Sequence, residues 1–148
     1  MSKERLINPF DMPGEKRKVE KTDRIERINN RIDKLSTIKS GWLGRGDGKP
    51  TNEVCLENAR NILTDLATHL NIANNPWIFP TPNGEIEAEW EIDKFLITAD
   101  FKLSGGFEVA ITNFENDHIL TYSSPNLPLE SQSQYLIDIF KNFLQKNR

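Results

Sequence analysis

The stretch that decides the fold is Thr81-Pro82-Asn83-Gly84-Glu85-Ile86-Glu87-Ala88-Glu89-Trp90-Glu91-Ile92-Asp93-Lys94-Phe95-Leu96-Ile97-Thr98-Ala99-Asp100-Phe101. From Glu85 to Ile92 the chain alternates strictly. Ile86, Ala88, Trp90 and Ile92 point one way and Glu85, Glu87, Glu89 and Glu91 the other, the period of a half-buried β-strand. Asp93-Lys94 turns the chain, and Phe95, Ile97, Ala99 and Phe101 alternate with Leu96, Thr98, Asp100 and Lys102 in a second strand of the same kind. With so short a connection the two strands must be antiparallel, since a parallel pair needs a crossover of a dozen residues or more. Trp90 is therefore expected in the core.

Working outward, Ser104-Gly105-Gly106 turns the chain again, and Phe107, Val109 and Ile111 give a further strand its apolar face. Glu115-Asn116-Asp117 makes the next turn, and 119–123 reads as a last strand. Upstream, Trp77-Ile78-Phe79-Pro80 reads as a short strand whose prolines confine it to an edge or a strand end. The result is an antiparallel meander of four to five strands.

Helices flank it. Ile25, Ile28, Ile32, Leu35 and Ile38 recur at steps of three and four, which predicts a helix over 23–39, with Asp23 and Glu26 resembling a capping box. Arg27, Arg31 and Lys34 lie off that apolar stripe and form a basic ridge. After the glycine-rich stretch Gly41-Trp42-Leu43-Gly44-Arg45-Gly46-Asp47-Gly48, a second helix is expected over 52–71 behind Thr51 as N-cap, with Cys55, Ala59, Ile62, Leu63, Leu66 and Leu70 on one side. Pro125 and Pro128 hold a linker. Tyr135, Leu136, Ile139, Phe140, Phe143 and Leu144 then predict a C-terminal helix from about Ser131. Two helices, a meander and a helix make an α+β domain rather than a parallel α/β one. It spans 21–148 and follows a flexible tail over 1–20, where Pro9, Pro13 and Gly14 break any regular pattern.

A chain of 148 residues with 36% hydrophobic and 28% charged residues suits one such domain. No apolar run approaches the ~20 residues that cross a bilayer, and the charges of Lys3, Glu4 and Arg5 are followed by neither an apolar h-region nor a small-residue cleavage site, so no secretory signal, no membrane partner and a cytoplasmic location are expected. The single cysteine excludes an internal disulfide and a multi-cysteine zinc site. Cys55, on the apolar face of its helix, reads as a core or boundary residue.

Motifs of catalysis and cofactor binding are missing. The glycine-rich loop fails the P-loop spacing, because Pro50 follows Lys49 and Leu43 stands where the first glycine belongs. His69 and His118 fall on different elements with no metal-ligand spacing, and no orienting group completes a nucleophile pair with Cys55. No cofactor, no metal and no enzymatic activity are expected.

The charge distribution is more informative. Net charge is −3, but 1–39 hold eleven Lys/Arg against seven Asp/Glu, so a positive head precedes a negative body. The glutamates of the first strand repeat every ~6.8 Å along one face, at ~3.4 Å rise per residue. As catalytic acids they lack the burial that would raise their pKa. They suit either a solvated face that blunts aggregation or a surface that meets Lys and Arg of a protein. Trp42 serves either to pack on the helical hairpin or as an exposed anchor. Glu85, Glu87, Glu89, Glu91, Trp42, Arg27, Arg31 and Lys34 are the candidate partner-binding residues.

Gly41-Trp42, Gly44, Gly46 and Pro50, followed by Pro80-Thr81-Pro82-Asn83-Gly84-Glu85-Ile86 and Glu89-Trp90, resemble a widespread family of small bacterial proteins of undefined function. Its recurring words are Trp-x-Gly-x-Gly and Pro-Thr-Pro-x-Gly with Glu-Trp after it. The resemblance covers about residues 35 to 100, and Leu43 stands where that family commonly has an acidic residue. It implies an accessory or neutralising protein of mobile-element or toxin–antitoxin settings. The resulting expectation is a protein-interaction module, antitoxin- or immunity-like, that covers a partner's functional surface. Alternatives are an anti-defence inhibitor whose acidic strand blocks a nucleic-acid-binding site, a nucleic-acid binder through the basic N-terminal region, and a small-substrate enzyme.

Overall fold

A computed structural model describes residues 14–70, 72, 74–124 and 128–147. Residues 1–13 of the tail expected over 1–20, and 125–127 of the expected proline linker, lie outside the described residues. The elements are α1 (Gly14–Leu35), α2 (Glu53–His69), β1 (Trp77–Pro80), β2 (Ile86–Ile92), β3 (Phe95–Phe101), β4 (Phe107–Asn113), β5 (Ile119–Ser124) and α3 (Leu129–Lys146). The strands form one antiparallel sheet in sequence order, so the chain is an α+β domain built on a five-stranded meander.

Alternation becomes layering. Ile86, Ala88 and Trp90 of β2, with Ile97, Ala99, Phe101, Phe107 and Val109 of β3 and β4, are buried on one face of the sheet. All three helices lie over that face, with α2 between α1 and α3. They contribute Ile28, Ile32 and Leu35 from α1, Cys55, Ile62, Leu63 and Leu66 from α2, and Leu136, Phe140 and Phe143 from α3. Trp90 meets the Phe140 ring edge-on at 4.8 Å, and Phe95 meets Phe143 likewise at 4.9 Å, a geometry that adds about 0.5–1.5 kcal/mol each to the burial itself. Burial pushes the Cys55 thiol up to about 11, aided by the nearby Glu85 charge, which makes it inert at neutral pH.

Three local expectations are corrected. The first helix starts at Gly14, so part of the expected tail is helical and Asp23 lies inside the helix; instead of capping it, Asp23 accepts from Arg27 at 3.0 Å. The second helix is capped by Asn52, whose Oδ1 accepts from Val54 N–H at 2.8 Å, and not by Thr51, whose side chain turns into the interior. The third helix starts at Leu129, two positions before Ser131.

The glycine-rich loop closes on itself. Gly41 N–H donates to Gly48 C=O and Leu43 N–H to Asp47 C=O, with Gly44, Arg45, Gly46 and Gly48 all at positive φ. It is then joined to the turn before β2, because Lys49 N–H donates to Pro82 C=O and Asn52 N–H to Gly84 C=O, both at 2.9 Å. A side chain at Gly84 would strike Pro50 C=O at 2.9 Å. The two glycine-bearing words, separate in sequence, therefore form one joint that sets α2 against the start of β2.

Candidate functional site

Among the described residues no helix lies on the second face of the sheet. Side chains of directly paired residues in an antiparallel sheet share a face, so the register writes out this surface. One transverse row runs Phe79, Glu87, Asp100, Glu108, Ser123 from β1 to β5; the next runs Trp77, Glu89, Thr98, Ala110, Thr121; a third holds Glu91, Leu96, Thr112 and Ile119. Neighbouring strands are ~4.8 Å apart, so Glu87, Asp100 and Glu108 form a line of carboxylates across three strands. Glu89 and Glu91 extend it along β2. Trp77 and Ile119, 53% and 56% exposed, put large apolar side chains at its two margins.

Crowding changes the chemistry of this face. Glu87 is half-buried, and its carboxyl is pushed up to about 7 by desolvation, then by hydrogen bonding to and repulsion from Asp100, and by the Glu89 charge. Burial comes first, and the acid supplied by the next strand adds more than the glutamate on the same strand. Glu87 thus keeps its proton to near neutrality, with the Asp100 carboxylate beside it.

Glu85 departs from the exposed row expected of it. It is buried at 9% exposure beneath the β3–β4 turn, where Oε2 accepts from Leu103 N–H at 2.9 Å and Oε1 from Lys102 Nζ at 3.2 Å. Burial works against its charge, but the bonds from Leu103, Asn83 and Lys102 prevail and hold the carboxyl below its ordinary range. Lys102 also lies 3.9 Å from Glu108, so one ammonium closes this end of the acidic surface.

The basic residues are mostly spent on architecture. Arg31 Nε donates to Ile78 C=O at 2.8 Å, covering an acceptor on the free edge of β1, and Arg24 donates to Ile72 C=O at 3.1 Å. Arg27 is held by Asp23, and Lys34 is exposed in the last turn of α1. Trp42 is half-buried over Gly48 and donates from Nε1 to Lys49 C=O at 2.8 Å, so it packs the loop.

Glu87, Glu89 and Glu91 are thus brought together, and Arg27 and Arg31 meet Glu91 across a cleft beside β1; Glu85, Lys34 and Trp42 stand apart from both. Asp100 and Glu108 were missed as site residues. The signal for Asp100 lay in the two-residue turn at Asp93-Lys94, which sets it opposite Glu87, and that for Glu108 in the β3–β4 turn, which sets it opposite Asp100.

Among the described residues no group of His, Cys, Asp and Glu is placed to hold a metal ion, and no helix is long and apolar enough to cross a membrane. The class that fold and surface define is a small α+β domain, a five-stranded meander with helices on one face and an acidic face on the other that the described residues leave uncovered. No family model, curated protein or solved structure matches the chain.

Proposed function

We propose that this chain is a protein-interaction module of the antitoxin or immunity kind, whose uncovered sheet face seats on a cationic surface of its partner and blocks it. The observation that carries this reading is the carboxylate grid of Glu87, Asp100 and Glu108 across the sheet and Glu89 and Glu91 along it, with exposed Trp77 at its margin. Antiparallel sheets tolerate a solvated face, but an acid crowded enough to raise Glu87 is unfavourable for the free protein. Lysines or arginines of a partner relieve that repulsion on contact, and such complementarity also speeds encounter. A surface that normally grips nucleic acid has the required charge, so nucleic-acid-handling proteins are the partner class this face suits.

The test compares proteins captured from the host by the wild-type chain and by Glu87→Lys/Glu89→Lys, with circular dichroism to verify that the variant is folded. A partner retained by the wild type and lost by the folded variant supports the reading. An unchanged set of captured proteins refutes it.

A further inference from the structure

β1 is shorter than β2. Its register begins at Trp77 opposite Glu89, so among the described residues the last residues of β2, Trp90 to Ile92, have no strand on their outer side. In that gap lies a cleft of about 830 Å³ between α1, the segment entering β1, and the β2–β3 turn. Its size falls in the ~300–1,000 Å³ range of ligand sites. Ile28, Ile78, Trp90 and Leu144 contribute apolar side chains to its lining.

Two guanidinium groups line it, one helical turn apart on α1. Each is oriented through Nε, Arg27 by Asp23 at 3.0 Å and Arg31 by Ile78 C=O at 2.8 Å. Their terminal amino groups take no protein partner among the described residues. Such a pair is ready to bind a carboxylate, and the forked geometry favours a bidentate contact.

Main chain adds a third element. Thr81 N–H donates to Glu85 C=O at 2.9 Å, which fixes the phase of the β1–β2 ladder so that Glu87, Glu89 and Glu91 turn their N–H and C=O groups toward β1. No β1 residue stands opposite Glu91. Its donor and acceptor therefore face the cleft as an unfilled ladder position, the element by which an extended peptide adds to a sheet edge.

We infer that this cleft binds an extended peptide segment of a partner protein, carrying an acidic side chain for Arg27 and Arg31 beside a large apolar side chain for Trp77 and the floor. The carboxylates of Glu91 and Asp93 repel an acid at the turn end and so fix the direction of the segment. The site shares Trp77 and Glu91 with the margin of the acidic sheet face but draws its preference for an acid from Arg27 and Arg31, so it is tested on those residues and on the acid of the peptide.

The probe is an acetylated, amidated pentapeptide of sequence Thr-Glu-Phe-Val-Thr and its counterpart with Gln for Glu, titrated into the full chain by calorimetry and by amide chemical shifts. The expected result is saturable binding that shifts the Glu91 amide and the Trp77 indole, with the Gln peptide about tenfold or more weaker. Arg27→Gln should erase most of that preference and Trp77→Ala should weaken both peptides. Arg27 and Trp77 are exposed, so these variants keep the fold. Absence of saturable binding, equal affinity for the two peptides, or shifts confined to other surfaces would overturn the inference. So would self-association of the free protein abolished by Arg27→Gln, since the occupant would then be a second copy of the chain.

Discussion

Glu87→Gln should leave stability nearly unchanged at pH 5 and raise it at pH 8. In the folded protein the carboxyl titrates near 7 instead of 4.5, so the folded state holds a proton that the unfolded state has released. Stability from this group is complete below about 4.5, declines as pH rises, and is gone above about 7. Each pH unit in that window corresponds to ~1.4 kcal/mol, which caps the effect at ~3 kcal/mol. The group is only half-buried and water screens the Asp100 and Glu89 charges, which reduces the figure to about 1–2 kcal/mol. An amide at this position keeps a donor toward Asp100 and removes the repulsion. Urea denaturation of both proteins at intervals from pH 4 to pH 8 reads the effect, because titrating groups that do not interact with Glu87 cancel in the difference. The stability difference should open steadily through the window in favour of the variant. Parallel curves would refute the reasoning, as would a carboxyl resonance of Glu87 titrating near its ordinary value.

Two further outcomes follow from the joints around this surface. Gly48→Ala places a methyl group 2.8 Å from the Trp42 ring at a φ of +96°, and should lower stability by about 1–3 kcal/mol, read as a fall of several degrees in thermal midpoint. Glu85→Gln removes the charge from the bonds to Leu103 and Lys102 and should cost about 1.5–3 kcal/mol at pH 7. Because the folded Glu85 carboxyl is depressed, the wild-type advantage exists above the unfolded pKa and should vanish as pH falls through the folded one. Denaturation at pH 7 and pH 3 measures both ends, and an advantage that persists in acid would contradict it.

Much of the sheet could be read directly because its signals are local. Ile86, Ala88 and Trp90 announce a strand by period alone, and the two-residue turn at Asp93-Lys94 dictates which residues of β2 and β3 face each other. The opposition of Glu87 and Asp100 was legible in principle from that turn. Thr51 misled because its type suits an N-cap as well as Asn52 does; the choice fell to the bond between Asn52 N–H and Gly84 C=O, a contact with a distant turn. Glu85 misled for a related reason. Alternation gives the side of a strand a residue lies on, but whether that side is open depends on the β3–β4 turn folding over it.

The sequence by itself determined the class of the protein, its element order and the acidic face, since hydrophobic period and turn chemistry act within a few residues of one another. Only the tertiary structure decided the cleft. Arg27 and Arg31 read as a basic ridge on an isolated helix; they line a cleft because α1 packs beside a β1 strand that stops short of the end of β2. That mismatch arises between elements far apart in the chain, where packing and register set the distances.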